Sequence, residues 1–381
     1  MTRSGMIEGR ADDAATEAYA TSSGAAPAHF RRALGVTLSS IGLGTYLGRD
    51  TDEDDARVEA AVAAAYERGV NVFDTAINYR LMRAERSVGR ALAKLAKRDP
   101  SARSRVFVAT KGGFLVHDGE SALPARRWYE ENLIRTGVLR SGDVAAGCHA
   151  MSPRFVEAML ERSRANLGLA TLDLYYLHNP ETQLEDTPID VVHDRLRAAF
   201  TTLEKAVDDG RVARYGVATW AGFRSRRAEP GHLEVETLVD LATEARRDAG
   251  GGGRHHFAAV QAPLNLAMRE SLEAETQTVD GKPATLLDAC ARLGLTAFAS
   301  ASLGQGRFLH LIPKDVELAF PEARTPAQRA LQFTRSAPGL ACALVGAKAA
   351  AHVEDNFALA KVPPADADVV RRLLVPRAEA R

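Results

Sequence analysis

The 381-residue chain has few cysteines and no excess of charge of either sign, since 49 Lys and Arg residues balance 49 Asp and Glu residues. The three cysteines, Cys148, Cys290 and Cys342, lie too far apart for a zinc or dithiol motif, and an odd number makes a poor disulfide framework. This usage is typical of a reducing compartment, so we expect a cytoplasmic protein. The balanced charge disfavours nucleic acid and anionic membranes as partners.

Long apolar segments are also missing from the chain. The longest run, residues 339–347, is far shorter than the roughly 20 residues of a membrane-spanning helix. The first 17 residues include six charged side chains and no apolar core, which disfavours a secretory signal. Residues 1–28 are small and polar, so we expect a disordered tail there and a single domain over residues 29–381.

Several motifs of nucleotide-binding and catalytic sites do not occur. The sequence has no Walker A motif, no H-E-x-x-H and no G-x-S-x-G, and no metal site is expected. It also has no G-x-G-x-x-G, because Gly42-Leu43-Gly44 is followed by Thr45-Tyr46-Leu47. A Rossmann dinucleotide-binding domain is therefore disfavoured.

The chain does contain a regular alternation of short apolar segments with longer amphipathic ones. The short segments predict eight strands, at residues 40–45, 70–74, 105–110, 172–177, 212–217, 257–261, 295–299 and 341–345. The longer segments predict helices at residues 54–68, 84–97, 152–168, 189–209, 233–247, 283–293, 325–335, 350–359 and 364–374. This α/β alternation, with eight units over roughly 330 residues, predicts a closed (β/α)8 TIM barrel.

Two segments stand outside this alternation. Residues 30–38, with Gly35 at the centre, predict a hairpin that plugs the bottom of the barrel. Residues 114–150 have no clean periodicity and form a long insertion after the third strand.

Polar side chains lie at the ends of three consecutive predicted strands, where active sites of such barrels are found. The second strand ends at Asp74, with Tyr79 five residues later, the third ends at Lys111, and the fourth is followed by His178. Each residue alone has an ordinary role, as a helix cap, a packed ring, a surface lysine or a core histidine. Together they converge on one rim, where a buried lysine needs an acidic partner and Asp74 is the obvious one.

Six segments carry a resemblance to a known family. FDTAINY (73–79), VATKGG (108–113), LDLYYLHNPE (172–181), GVATW (216–220), VQAPLN (260–265) and ALVGAKAAAHVEDN (343–356) resemble, in this order, the blocks of the aldo-keto reductase superfamily. The resemblance covers roughly residues 30–375. It implies a barrel that reduces an aldehyde or ketone to an alcohol with a nicotinamide cofactor. Such a small-molecule carbonyl compound is the expected partner, and the oligomeric state stays open.

The resemblance implies a role for each strand-end residue. Tyr79 is the general acid that protonates the carbonyl oxygen, and Lys111 lowers the pKa of the Tyr79 phenol. Asp74 holds Lys111 in place, and His178 hydrogen-bonds the carbonyl or shares the proton relay. The hydride comes from the cofactor.

The resemblance also implies the cofactor contacts, with NADPH expected and NADH possible. Lys348, and secondarily His352, are expected to hold the 2′-phosphate, although an exposed lysine at a helix start is an equally good interpretation of Lys348. The implied cofactor-binding residues are Gly44, Thr45, Tyr46, Asp74, Thr219, Gln261, Ser300, Leu303, Gln305, Lys348, His352, Asp355 and Asn356.

Two of these positions depart from the family pattern. Thr219 stands where the family usually has an asparagine, and Ser300 stands where an aromatic ring usually stacks on the nicotinamide. Either another ring, Trp220 or Phe298, takes over the stacking, or the stacking is lost.

The expected substrate contacts are Tyr46, Asn179, Trp128 and His149. The last two belong to the 114–150 insertion, which leaves the barrel directly after Lys111 and is too apolar for a linker. These features favour a lid that covers the carbonyl compound and sets its size, and a surface decoration is the alternative.

Two other functions are compatible with parts of this pattern. A strand-end lysine can form a Schiff base, but the adjacent Asp74 works against the lowered pKa that this chemistry requires. A sensor or regulatory subunit that binds the cofactor with little turnover is the second alternative, and the altered cofactor positions keep it open.

Overall fold

The structure is a computed structural model and describes residues 5–374. Its strands are β1 (Phe30–Ala33), β2 (Val36–Ser39), β3 (Ile41–Gly44), β4 (Val72–Asp74), β5 (Phe107–Gly112), β6 (Val144–Ala145), β7 (His149–Ala150), β8 (Leu174–His178), β9 (Tyr215–Ala218), β10 (Phe257–Pro263), β11 (Gln277–Val279), β12 (Lys282–Ala284), β13 (Thr296–Ser300) and β14 (Leu340–Gly346). Eight of them close into a parallel barrel in the order β3, β4, β5, β8, β9, β10, β13, β14. The predicted TIM barrel is confirmed.

Helices connect these strands on the outside of the barrel. They are α1 (Asp13–Ser22), α2 (Asp52–Glu67), α3 (Arg83–Arg98), α4 (Ala102–Arg105), α5 (Ala125–Tyr129), α6 (Pro153–Leu167), α7 (Ile189–Asp208), α8 (Val235–Asp248), α9 (Glu270–Glu273), α10 (Leu286–Leu293), α11 (Lys314–Ala319), α12 (Pro326–Arg335), α13 (Ala350–Phe357) and α14 (Ala367–Leu374). Thr51, Thr285 and Thr325 cap the first turns of α2, α10 and α12 through their side chains. Within residues 5–374, no helix has the length and apolarity needed to cross a membrane.

An interior core fills the barrel and its lower end. Its buried members on the barrel strands are Val72, Phe107, Ala109, Leu174, Tyr176, Ala218, Ala259, Phe298, Cys342 and Leu344. The predicted hairpin forms from the antiparallel strands β1 and β2, and its Val36 and Leu38 join this core. The hairpin therefore closes one end of the barrel, and the strand ends that carry polar residues lie at the other.

The N-terminal segment differs from the disordered tail expected over residues 1–28. Within the described part, residues 5–28, helix α1 forms with Asp12 as its N-cap. The Tyr19 ring stacks on Tyr66 at a centroid distance of 4.8 Å, and its hydroxyl donates to the Tyr66 carbonyl. The Ala11 N–H donates to the buried Asp173 at 2.7 Å. The small, polar composition of the segment suggested disorder, but the single buried aromatic side chain of Tyr19 packs it on the rest of the protein.

The insertion, residues 114–150, has structure of its own. It contains α5, a π-helical turn (Glu130–Ile134) and the short β6–β7 hairpin. Its apolar side chains form a second core with residues of the loop after β4 and of α6. We call this cluster the insertion core; its buried members are Ile77, Met82, Val116, Trp128, Leu133, Leu139, Ala150, Phe155 and Met159.

We predict that Tyr19→Ala lowers the free energy of unfolding by about 3–5 kcal/mol, the usual effect of deleting a buried aromatic ring. Thr21→Ala, on the exposed side of α1, is the control and should change it by less than about 0.5 kcal/mol. Equilibrium urea unfolding measures both values. Equal, negligible effects would show that the N-terminal segment does not pack on the barrel.

Candidate active site

Strand alternation places four polar side chains inside the barrel at its open end. Side chains two residues apart on a strand point to the same face. Asp74, Lys111, His178 and Gln261 each come two residues after a member of the interior core. They therefore form the next layer toward the open end, which is why the sequence pattern was sufficient to find them.

A buried ion pair lies at the centre of this layer. The Lys111 side chain is 0% exposed, and its Nζ forms a short contact with Asp74. Lys111 Nζ also donates to the Thr75 carbonyl at 2.9 Å, and the second carboxylate oxygen of Asp74 accepts from Gln261 Nε2 at 2.9 Å. Burial alone would lower the pKa of Lys111, but Asp74 and Tyr79 raise it above its usual range. Lys111 is thus held as a cation.

Tyr79 brings its hydroxyl to this cation. Lys111 Nζ lies 3.4 Å from Tyr79 Oη and 5.0 Å from the centre of the ring. The Lys111 charge lowers the pKa of the phenol, as expected, but burial has the larger effect and Asp74 adds to it, so the pKa is raised overall. The effect of Lys111 thus has the predicted direction, while burial decides the direction of the net shift in the Tyr79 pKa.

The backbone that follows Tyr79 is strained. Arg80, Leu81 and Met82 have φ of 49°, 54° and 72°, in the left-handed region that costs a non-glycine residue about 1–3 kcal/mol. The buried Arg80 guanidinium pairs with Asp55 and donates to Ser87 Oγ at 3.1 Å. Such a conformation persists only where its surroundings hold it, so the Tyr79 loop depends on neighbouring elements.

His178 lies across the cavity floor from Tyr79, with ring centroids 5.8 Å apart. Burial, the Lys111 charge and His149 hold the pKa of His178 well below its usual range, so the imidazole is neutral at neutral pH. Its Nδ1 is buried without a hydrogen-bond partner among the described residues. The Nε2 edge is therefore the one left for a bound molecule.

Above this floor opens a cavity of about 590 Å³. Fifteen of the residues predicted for the site line it, namely Gly44, Thr45, Tyr46, Asp74, Tyr79, His178, Asn179, Thr219, Gln261, Ser300, Leu303, Gln305, His352, Asp355 and Asn356. The volume is within the range of small-molecule and cofactor sites. The strand ends and α13 thus share one cavity.

Four other predicted residues do not line the cavity. Lys111 is fully buried and reaches the cavity lining only through its contacts with Asp74 and Tyr79. The Lys348 ammonium pairs with Asp54 at 2.8 Å, and its contact with the 2′-phosphate stays a prediction. Trp128 is 3% exposed in the insertion core, and His149 is fully buried beside His178. Trp128 and His149, predicted as substrate contacts, therefore lie outside the cavity lining.

Several lining residues escaped the sequence analysis. Phe114, Asn78, Ser302 and Leu309 all border the cavity. Asn78 precedes Tyr79 in the quoted motif and Ser302 lies in the loop after β13, so their positions were a usable signal. Nothing in the sequence marked Leu309.

Of the two rings considered for stacking, Trp220 lines the cavity at 47% exposure, whereas Phe298 is buried in the interior core.

Comparison with known proteins places the chain in a family. Residues 40–236, more than half of the chain, match the model of the Aldo/keto reductase family. The chain belongs to the aldo/keto reductase family. Among residues 5–374, no group of three or more His, Cys, Asp or Glu side chains is placed to hold a metal ion.

Two curated relatives match about half of the chain. A D-threo-aldose 1-dehydrogenase from Pseudomonas sp is 27% identical over 201 residues, which is 51% of this chain and 54% of that protein. Aldo-keto reductase YhdN from Bacillus subtilis is 26% identical over 190 residues, 49% of this chain and 45% of that protein. The chain therefore spans about half the length of the curated relatives it matches.

Solved structures share the fold over nearly the whole chain. An aldo/keto reductase from Klebsiella pneumoniae in complex with NADP and acetate has a TM-score of 0.58 and 22% identity, covering 90% of this chain and 94% of that chain. Aldose reductase from Schistosoma japonicum has a TM-score of 0.56 and 20% identity, covering 90% and 91%. At these identities the likeness establishes the fold alone.

We predict that Lys111→Met lowers the free energy of unfolding by about 3–5 kcal/mol, because it leaves Asp74 buried without its counter-ion. Adding Asp74→Asn should recover part of the loss, since the double variant buries no charge at this place. Lys94→Met is the control, because Lys94 is 68% exposed in its pair with Glu59 and should contribute less than about 1 kcal/mol. Urea unfolding at neutral pH measures all three. A double variant no more stable than Lys111→Met would contradict this account.

Proposed function

We propose that this chain is an NADPH-dependent oxidoreductase that reduces an aldehyde or ketone to an alcohol. The observation that carries the proposal is the meeting of a cation, a phenol and a neutral imidazole, from Lys111, Tyr79 and His178, at the floor of one cavity. Family membership and the NADP named in the Klebsiella pneumoniae structure support the choice of cofactor.

The cavity has the donors that a nicotinamide dinucleotide needs. The hydroxyls of Thr219 and Ser302 line it and have no hydrogen-bond partner among the described residues. We assign Thr219 to the carboxamide and Ser302 to the diphosphate. Gly304, Gln305 and Gly306 have φ of 51°, 58° and 82°, which curves the loop after β13 around the same space. NADPH, when bound, supplies the hydride.

Tyr79 is the proposed general acid. Because burial raises its pKa, the phenol keeps its proton at neutral pH and can donate it to the carbonyl oxygen. The Lys111 ammonium, 3.4 Å from the phenol oxygen, stabilises the phenolate that remains. Asp74 keeps Lys111 charged and in place. The same charge argues against Schiff-base chemistry, which requires a neutral amine.

His178 is the proposed hydrogen-bond donor to the same carbonyl oxygen. Its Nδ1 is buried without a partner, and a buried N–H without an acceptor is rare in proteins. We infer that the neutral ring carries its proton on Nε2 and that this nitrogen donates into the cavity that His178 lines. Two neutral donors, Tyr79 and His178, then converge on the oxygen where negative charge develops.

Rings and amides border the space left for the substrate. Tyr46 and Trp220 are 57% and 47% exposed, and Phe114 completes an apolar wall. Asn179 and Asn78 supply amides, and the Asn78 side-chain oxygen is buried without a partner. We infer that Trp220 takes the stacking role that Ser300 lacks, while the other residues contact the carbonyl compound.

The decisive variant for the proposed function is Tyr79→Phe, which keeps the ring and removes the acid. Turnover should fall on the order of 10²-fold or more, with NADPH affinity little changed. Tyr175→Phe is a matched control. The Tyr175 hydroxyl is buried without a partner among the described residues, and its ring packs with apolar side chains between the barrel strands and the surrounding helices, away from the cavity. Steady-state kinetics with a good aldehyde and a fluorescence titration measure both quantities. Wild-type turnover by Tyr79→Phe would refute the assignment of the acid.

The Asp54–Lys348 pair generates a prediction about cofactor choice. The Lys348 ammonium holds the pKa of Asp54 at about 2, so a 2′-phosphate must compete with a carboxylate for Lys348. Asp54→Asn should therefore tighten NADPH binding roughly 3- to 10-fold and leave NADH binding unchanged, whereas Lys348→Ala should weaken NADPH binding. Glu53→Gln, an exposed carboxylate in the same turn, is the control. Fluorescence titration that finds NADPH and NADH binding equally in all variants would reject this phosphate site.

A further inference from the structure

The end of the insertion lies against the backbone of His178. His149 is fully buried on β7, and its Nε2 lies 2.7 Å from the His178 carbonyl oxygen. His149 Nδ1 lies 3.0 Å from Gln183 Nε2, and Gln183 Oε1 lies 2.7 Å from Arg195 Nη1. These contacts form a continuous chain from Arg195 to the backbone of the active-site histidine.

The direction of this chain follows from its first member. A guanidinium only donates, so Gln183 Oε1 must accept and Gln183 Nε2 must donate to His149 Nδ1. His149 then carries its proton on Nε2 and donates it to the His178 carbonyl. Burial lowers the pKa of His149 to about 4, which agrees with a neutral ring that has one donor and one acceptor. Each polar atom named in this series of hydrogen bonds has a partner.

Packing around this contact is tight. The Phe114 ring meets both His149 and His178 edge-on, with centroids 5.2 Å from each. A Cβ atom at Gly113 would lie 2.6 Å from His149 Nε2 and 2.8 Å from the His178 carbonyl oxygen, so only glycine fits there. The Ala150 N–H donates to the Gly113 carbonyl at 2.8 Å. The two ends of the insertion are thus joined directly beside β5 and β8.

The insertion also supports the other side of the cavity floor. Ile77 and Met82, which flank Tyr79, are members of the insertion core. The Gly119 N–H donates to the Leu81 carbonyl at 3.0 Å, within the left-handed segment 80–82. A conformation of this kind needs external support, and the insertion supplies part of it.

We propose that the insertion is a buttress that fixes Tyr79 and His178, with His149 as the positioning residue for His178. The inference rests on the proposed function and replaces the lid expected from the sequence. His178 needs such support because its buried Nδ1 has no partner to orient the ring. Its orientation therefore depends on the Phe114 contact and on a backbone held by His149. Of the insertion residues, Phe114 borders the cavity, whereas Trp128 packs in the insertion core and His149 contacts the His178 backbone.

The test compares His149→Ala with His149→Gln, whose amide can still donate to the His178 carbonyl. His149→Ala should lower kcat roughly tenfold, because small displacements of a catalytic group reduce rates strongly. The KM for large and small carbonyl compounds and the NADPH affinity should stay within about twofold, since His149 touches neither ligand. His149→Gln should recover most of the rate. The control is His117→Ala, a histidine of the insertion that packs on Tyr129.

A second readout needs no turnover. Side-chain ¹⁵N–¹H NMR of the free protein should show shifted His178 imidazole resonances in His149→Ala and unshifted ones in His117→Ala. An unshifted His178 signal together with wild-type kcat overturns the proposal. So does an effect on the KM of bulky substrates with kcat unchanged, which is what a lid predicts. If the wild-type protein has no reductase activity, the proposed function fails, and the NMR comparison still decides the positioning role.

If His149→Ala does not fold, a further variant tests whether His149 positions His178. Gln183→Ala removes the donor that fixes the His149 tautomer without touching the cavity wall beside His178. It should shift the His178 resonances and lower kcat less than His149→Ala would. A Gln183→Ala protein with wild-type resonances and wild-type kcat would contradict the chain of contacts on which the inference rests.

Discussion

The buried Lys111–Asp74 ion pair is the interaction around which the open end of the barrel is organised. A lysine with no exposed surface is tolerated only when a counter-ion and further acceptors surround it. Asp74 on β4 and the Thr75 carbonyl accept from Lys111 Nζ, and the Gln261 amide on β10 donates to the other carboxylate oxygen of Asp74. Since these groups come from separate strands, the closed barrel is what brings them together. The ion pair therefore depends on the closed barrel.

The charge of Lys111 also determines how its neighbours hold protons. It adds to burial in keeping His178 neutral, and it opposes burial at Tyr79 without overcoming it. Tyr79 and His178, the two proposed donors, are thus both uncharged, and Lys111 beside them is a fixed cation. In the proposed reduction the developing negative charge on the carbonyl oxygen meets both donors, and the phenolate left behind faces Lys111. The arrangement requires no movement of charged groups at the moment of reaction.

The barrel and the polar strand ends followed from local sequence patterns, because strand period and helix boundaries depend on near neighbours. Most of the remaining cavity lining followed from the resemblance to the family's sequence blocks. The features that could not be predicted depend on contacts between residues far apart in the sequence. Lys348 pairs with Asp54 across 294 positions, and Tyr19 anchors α1 on Tyr66 across 47. The insertion was placed correctly after β5, but apolar content alone does not tell which way a side chain faces. Trp128 packs in the insertion core, which is built from several segments of the chain and could not be predicted from any one of them.

The central claim is that this cavity performs carbonyl reduction, beyond binding a cofactor. The most direct measurement follows the absorbance of NADPH with the wild-type protein and a panel of aldehydes and ketones. The account predicts NADPH oxidation that requires both the protein and a carbonyl compound, with one alcohol formed per NADPH consumed. Tight NADPH binding without oxidation across the whole panel would contradict it and favour a sensor or regulatory subunit.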